Sequence, residues 1–524
     1  MSRRLLNRGH NQWRPLLNGT SKPGRAARGI RFSSSGGGGG PGPKRLGSTQ
    51  YEVVKWSLSM AIGIGTAWMF KDQIDDFSDF VAAKLPWSSS RSTARATTAG
   101  VVPNLDDHQG WRHDEVKYTP APSAEDVTRM LNEGASSYAA GTVSSVADYD
   151  VAQLASNSPC EDAYLHGRFS NPWKDGSKEK EEDWMAWAVF DGHCGWQTSA
   201  LLTKQLMPFV KKALQDIHSK NPTDADINQA LQTAFTRLDD MLITSAQATI
   251  EGDHSFPDKI RRLEPGFAGS CALLALYNPT TKSLHIASTG DCRAVVGSKD
   301  NAEKKWTATF ETVDQTGANE DEKDRIRKKF PDEPQILAGG RIWGMQPART
   351  FGDGGWKWDK DLRARLRREY NATALPSSVR YSGYKTGPYL TALPVVSTVK
   401  LPEAPSFMIL ATDGLWDTMS SEEAVDLVGR WCDWKKDPKG SKPSSAAPPA
   451  TGKQSPTVFG DIACRYDSDF STFQDPNAAV HLMRNGLGGA RDELVRGALT
   501  FTSPAARYIR DDMTVQVVFF GDNH

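Results

Sequence analysis

Five pairs that recur beside apolar runs set a carboxylate next to a glycine or a second carboxylate: Glu161-Asp162, Asp191-Gly192, Gly290-Asp291, Asp413-Gly414 and Asp511-Asp512. Any one of them alone reads as a turn, because Asp and Gly dominate turns. Five in one folded region, each near an apolar run, ask for another explanation. Carboxylates gathered from distant parts of a chain repel one another unless cations neutralise them. Donors that offer only oxygen select hard cations such as Mg²⁺ or Mn²⁺. One histidine, His193, follows the Asp191-Gly192 pair, and a lone imidazole argues against zinc. Two hard cations at one site can clamp a phosphoryl group and activate a water, so no protein nucleophile is required. His193 titrates near neutrality and suits protonation of a leaving alkoxide.

Apolar runs must deliver these groups. The run at 185–190 (MAWAVF) reads as a buried strand ending at Asp191. Runs at 271–277, 284–288 and 293–296 read as successive strands, with Asn278-Pro279 and Gly290-Asp291 as their turns. A strand at 407–411 leads to Asp413, and a final strand at 514–520 follows Asp511-Asp512. Ile227, Leu231, Ala234, Phe235, Leu238 and Leu242 recur at helical spacing. Ser420 with Glu423 forms a capping box for a helix carrying Ala424, Val425, Leu427 and Val428. Strands and helices come in runs without strict alternation. The pattern predicts an α+β fold with antiparallel sheets over a doubly wound parallel one.

Composition narrows the partners. Lys+Arg and Asp+Glu both number 63, so there is no chain-wide basic surplus of the kind duplex nucleic acid attracts. The six cysteines include no C-x-x-C pair, which argues against a zinc ribbon, and the length argues against a disulfide scaffold. Cys194, beside His193, reads either as an oxidation-sensitive thiol or as a small core residue.

The two ends differ sharply. Residues 1–51 hold eight Arg, two Lys and no acid. Such a leader predicts a mitochondrial transit peptide over 1–35. A glycine-rich linker over 36–52 follows. The apolar stretch 53–70, with Trp56 and Trp68 near its ends, predicts a membrane-spanning helix anchored in the inner membrane. A tether over 71–114 precedes a folded domain over 115–522, interrupted by a disordered insertion over 435–456. Basic residues before the span and Asp72, Asp75, Asp76 and Asp79 after it would put the domain in the intermembrane space. A matrix substrate would require the opposite side, and the alternatives stay open.

The segments EDAY (161–164), VFDGHCG (189–195), STGDCRAVVG (288–297), ILATDGLWD (409–417) and RDDMTV (510–515) occur in an order that resembles the PPM, or type 2C, metal-dependent protein phosphatases. The resemblance spans roughly 115–522. Segments 157–162, 344–353, 387–396, 411–420, 481–489 and 510–520 are similar to the pyruvate dehydrogenase phosphatase branch of that family. The resemblance implies a four-layer α-β-β-α sandwich and hydrolysis of phosphoserine or phosphothreonine by a water activated between two Mg²⁺ or Mn²⁺ ions. It also implies roles. Asp191 would bridge both metals, the Gly192 carbonyl would bind one, and Asp413 with Asp511 would complete a site. Glu161 would act on the second metal and Asp162 would orient a water. Asp291 with Asp413 would hold a weaker third ion, and His193 would be the general acid. The implied partner is a phosphoprotein, the pyruvate dehydrogenase E1 subunit in one reading and other mitochondrial or intermembrane-space proteins in another. An inactive membrane-tethered scaffold is disfavoured, because every metal carboxylate is present.

Some positions depart from the family pattern. Asn157 stands where many members carry a phosphate-gripping Arg. Phosphate contacts then fall to Asn157 itself, to the metals, or to an Arg from elsewhere. Arg349 is the candidate, with a structural ion pair as the plainer explanation of it. Asp512 replaces a usual Asn, and Cys271 stands where Thr is common.

Overall fold

The run at 185–190 is apolar at every position because both faces of its strand are covered. In the computed structural model, among the described residues, the elements that build the layers are β1 (Ser136–Ala139), β2 (Val146–Leu154), β3 (Ala163–Phe169), β4 (Trp184–Phe190), β5 (Ala272–Asn278), β6 (Ser283–Thr289), β7 (Arg293–Lys299), β8 (Trp306–Glu311), β9 (Val395–Lys400), β10 (Ser406–Ala411) and β11 (Met513–Phe520). They form a six-stranded sheet, β1-β2-β11-β10-β7-β8, and a five-stranded sheet, β9-β6-β5-β4-β3. Every pairing is antiparallel. Side chains alternate across each strand. Met185, Trp187 and Val189 therefore join Leu273, Ala275, Met408, Leu410 and Val518 in a core between the two sheets. Trp184, Ala186, Ala188 and Phe190 face the other way, into helices. Truncating the fully buried Trp187 to Ala would cost about 3–5 kcal/mol.

Helices close the outer faces. α2 (Gln197–Gln215) and α3 (Asp224–Glu251) bury Leu202, Leu206, Leu231, Phe235 and Leu238 against the five-stranded sheet. α1 (Ala124–Asn132), α4 (Ser421–Lys436), α5 (Ala478–Gly486) and α6 (Asp492–Thr500) cover the six-stranded sheet. The result is the α-β-β-α sandwich that the sequence implied. The Ser420–Glu423 capping box forms as expected, and α3 opens on an equivalent box between Thr223 and Asp226. α3 runs past the periodic stretch at 227–242 because Ala246 and Ile250 pack into a second small core with Leu263, Trp358 and Leu366.

The structure describes residues 120–521 except 142, 144, 174–181, 220, 301–304, 372–383, 386 and 438–464. The transit peptide, linker, spanning helix and tether expected over 1–35, 36–52, 53–70 and 71–114 lie outside the described residues. So does most of the insertion expected over 435–456. Its start is corrected, because Lys435 and Lys436 complete the last turn of α4. Among the described residues, no helix is long and apolar enough to cross a membrane.

Candidate metal centre

Strand register brings the carboxylates to one end of the sandwich. Ala163 pairs with Phe190, which sets Asp162 next to Asp191. Ala411 pairs with both Arg293 and Val515, and Met513 pairs with Leu154. Asp291, Asp413 and Asp511 are thus each a residue or two beyond a paired strand end. A small sheet of Gly192–His193, Gly269–Ser270 and Phe351–Gly352 braces the rim. Gly192 is there for proximity. A Cβ on it would stand 2.1 Å from the Glu161 carbonyl oxygen, so only glycine lets these two segments meet.

Ligand oxygens of Asp191, Asp291 and Asp413 all lie within 4.8 Å of one another. Burial, and then the charges of Asp413, Asp162, Asp291 and Asp511, push Asp191 well above the usual carboxylate range. Burial followed by Asp291 and Asp511 does the same to Asp413, and burial followed by Asp512 to Asp162. Three mutually repelling oxygen donors, held by separate strands, fit a hard divalent cation. Their surroundings orient them. The Cys271 thiol donates to Asp291 Oδ1 at 3.1 Å, and Gln346 Nε2 to its Oδ2 at 3.3 Å. The hydroxyls of Thr412 and Thr514 each donate to Asp162 Oδ2 at 2.8 Å.

Glu161 accepts from the Gly195 N–H at 2.6 Å and from Asn157 Nδ2 at 3.0 Å. Asp512 is a brace. It accepts backbone N–H bonds from Ser156, Asn157 and Glu161. Burial raises it, but these donors outweigh burial and hold it below its ordinary value. Asn157 donates to Asp512 Oδ2 as well, at 3.2 Å. Both hydrogens of its amide are therefore engaged with carboxylates, which corrects its expected role as a phosphate donor. Arg349 is corrected too. Its guanidinium binds Glu322 Oε1 at 2.6 and 2.9 Å and the Leu393 carbonyl at 2.6 Å. It is the structural ion pair.

His193 Nε2 lies 2.8 Å from Asp353 Oδ2. Burial opposes a charged imidazole, but the Asp353 carboxylate outweighs it and raises His193 above its usual value. Cys194 is exposed, at φ 57°, so it fills no core. Desolvation, with the charges of Asp353 and Glu161, pushes its thiol up to about 11. Little thiolate then exists at neutral pH, against the oxidation-sensitive reading.

The protein phosphatase 2C model matches residues 155–448, which contain four of the five carboxylate pairs. A protein phosphatase 2C homolog of Schizosaccharomyces pombe is 35% identical over 422 residues, spanning 79% of this chain and 88% of that protein. The chain belongs to the protein phosphatase 2C family. The mitochondrial [pyruvate dehydrogenase (acetyl-transferring)]-phosphatase 1 of Saccharomyces cerevisiae is 36% identical over 397 residues, covering 72% of this chain and 69% of that one. Its bovine namesake is 32% identical over 330 residues, 59% of this chain and 58% of that one. A solved serine-threonine phosphatase 2C from Toxoplasma gondii superposes with a TM-score of 0.40 at 17% identity, over 72% of this chain and 97% of that one. This chain is a serine/threonine protein phosphatase, similar to the pyruvate dehydrogenase phosphatases. Its family depends on Mg²⁺ or Mn²⁺, and the carboxylate group supplies the donors.

Two residues of the phosphatase escaped the sequence reading. Asp353 sits inside the segment GMQPARTFGD, yet only the fold reveals that it meets His193, which is 160 residues away. Arg507 pairs with Asp511. The spacing of four residues between them was the available signal.

Proposed function

We propose that this phosphatase acts in mitochondria on phosphoserine and phosphothreonine of the pyruvate dehydrogenase E1 subunit. The observation that carries the chemistry is the trio of converging carboxylates, Asp191, Asp291 and Asp413, with oxygens within 4.8 Å of one another. The named relatives and the acid-free leader support the substrate and the compartment. Asp191, the Gly192 carbonyl, Asp413, Asp511 and Glu161 would hold two Mg²⁺ or Mn²⁺ ions, and Asp291 with Asp413 a weaker third. Such ions, when bound, supply charge neutralisation for the phosphoryl oxygens and a water acidic enough to attack.

The chain's own residues do the rest. Asp162, fixed by two threonine hydroxyls, accepts a hydrogen bond from the attacking water and sets its direction. His193 gives a proton to the leaving serine or threonine oxygen. Asp353 positions that imidazole and favours its protonated form. Attack is in line, and no covalent enzyme intermediate forms.

The test uses the full chain on phosphorylated E1 and on an unrelated phosphothreonine peptide, with Mn²⁺, Mg²⁺ or EDTA. Metal-dependent release of phosphate that favours E1 is expected. Folded protein that is silent with every metal would overturn the phosphatase mechanism. Equal turnover of both substrates would overturn the E1 assignment alone. In mitoplasts, protease protection of the folded domain supports the matrix side that E1 requires, and digestion counts against it.

A further inference from the structure

A phosphoryl dianion entering a ring of carboxylates needs more positive charge than the chain has so far supplied. Asn157 is used up on Glu161 and Asp512, and Arg349 on Glu322. Arg293 is tied to Asp314 and Ser421. Arg510 is buried and donates to the carbonyls of Ala155 and Ala498. Arg507 differs. It lies in the turn Ala505–Tyr508 that leads into β11, and it pairs with Asp511. The next carboxylates it feels are Asp413 and Asp191. Its side chain is 51% exposed. It lines an open cleft with Gly414, Asp417, Thr418, Tyr508 and Asp511. Its guanidinium is thus half-exposed in a cleft and still within the field of the clustered carboxylates. A guanidinium has five N–H donors in a planar fork. One edge can stay on Asp511 while the other takes two phosphoryl oxygens, a charge-assisted contact that a lysine ammonium cannot match in geometry.

We propose that Arg507 grips the phosphoryl group of the substrate, in place of the arginine that Asn157 does not provide. The proposal rests on the phosphatase reading above, and its alternative is that Arg507 serves only as the counter-ion of Asp511.

The experiment compares the full chain with Arg507→Lys and Arg507→Met. Two quantities are read at saturating Mn²⁺, KM for a phosphothreonine peptide and binding of inorganic phosphate by calorimetry, and a separate Mn²⁺ titration gives the concentration for half occupancy. Arg507→Met should weaken phosphate binding and raise KM in parallel by roughly ten- to a hundredfold, the size expected for losing a charge-assisted contact. Half-occupancy in Mn²⁺ should hardly move, and Arg507→Lys should recover part of the loss. Unchanged phosphate binding in Arg507→Met overturns the proposal. So does a weaker Mn²⁺ response that accounts for the whole effect, which would leave Arg507 as a counter-ion. Calorimetry needs no turnover, so a wild-type protein that binds inorganic phosphate but does not hydrolyse the phosphothreonine peptide would sink the phosphatase mechanism while still deciding the role of Arg507.

Discussion

The helical flanks and the metal rim both bury carboxylates, and they treat them in opposite ways. In the flank over the six-stranded sheet, Asp475 is matched by Arg484, whose Nε and Nη2 reach its two oxygens at 2.7 and 2.9 Å. Within α3, Asp239 takes Lys357 Nζ at 2.6 Å and the Gly352 N–H at 3.0 Å. Both of these carboxylates have their own cation and satisfied oxygens, the condition under which a buried charge is tolerated. At the rim, Arg507 pairs with Asp511 and next feels Asp413 and Asp191, while burial first, and neighbouring carboxylates after it, raise Asp162, Asp191, Asp291, Asp413 and Asp511. The fold can neutralise a buried carboxylate where that is all it must do. Where it leaves several unmatched, the missing charge comes from outside, and the site is defined by that deficit.

The comparison can be broken first at its centre. Asp191→Asn should lower phosphate release by roughly a thousandfold or more, since the group at the middle of the cluster is lost. It should nonetheless leave the metal-free protein at least as stable as wild type, because one repelling charge is gone. Matched thermal melts in EDTA check this, and a clear fall in Tm would mean that the rim is held together by Asp191 itself. The flank predicts the reverse. Asp475→Ala strands the Arg484 charge in the core and should cost about 3–5 kcal/mol in denaturant unfolding. If it costs no more than Asp191→Asn, the distinction between the regions collapses. Smaller again is the effect of the cation on stability. Mn²⁺ at a hundred times its Kd should stabilise wild type by about 2.7 kcal/mol. Asp191→Asn should respond far less.

Much of this arrangement was legible in the sequence, and what was not has a physical cause. Continuous burial made β4, β5, β10 and β11 readable, because strands covered on both faces are mostly apolar along their length. The carboxylates were readable because each follows or precedes such a strand. Contacts between distant loops were not. Nothing local to Asp353 announces His193, and nothing local to Glu322 announces that it claims Arg349. The cluster of Ile326, Ile336, Trp343, Trp356, Tyr384 and Tyr389 also went unread. Apart from Ile326, in the helix Glu320–Lys329, its members come from segments too brief for helical or strand periodicity to apply. Asn157 shows the same limit from the other side. Its position was legible, but the commitment of its amide to Asp512 spans 355 residues.

A third kind of carboxylate sharpens the contrast by having neither a hydrogen-bonded cation nor a cluster. Glu264, in the helix Phe256–Phe267, buries both side-chain oxygens without a hydrogen-bond partner among the described residues. Burial pushes it up to about 8, against the pull of Arg261. The sign follows from linkage. The unfolded chain releases this proton near pH 4.5, whereas the folded chain holds it until about pH 8. Between those values the unfolded state binds fewer protons, so the contribution of Glu264 to stability falls as pH rises through that window. Glu264→Gln keeps the shape and removes the titration. The urea midpoint of the variant should match wild type at pH 5 and exceed it at pH 8, with Tm higher there by on the order of a few degrees. A gap of equal size at both pH values would show that packing, and not the buried proton, separates the two proteins. Glu264 would then be a fourth case, a carboxylate whose charge the fold already accommodates.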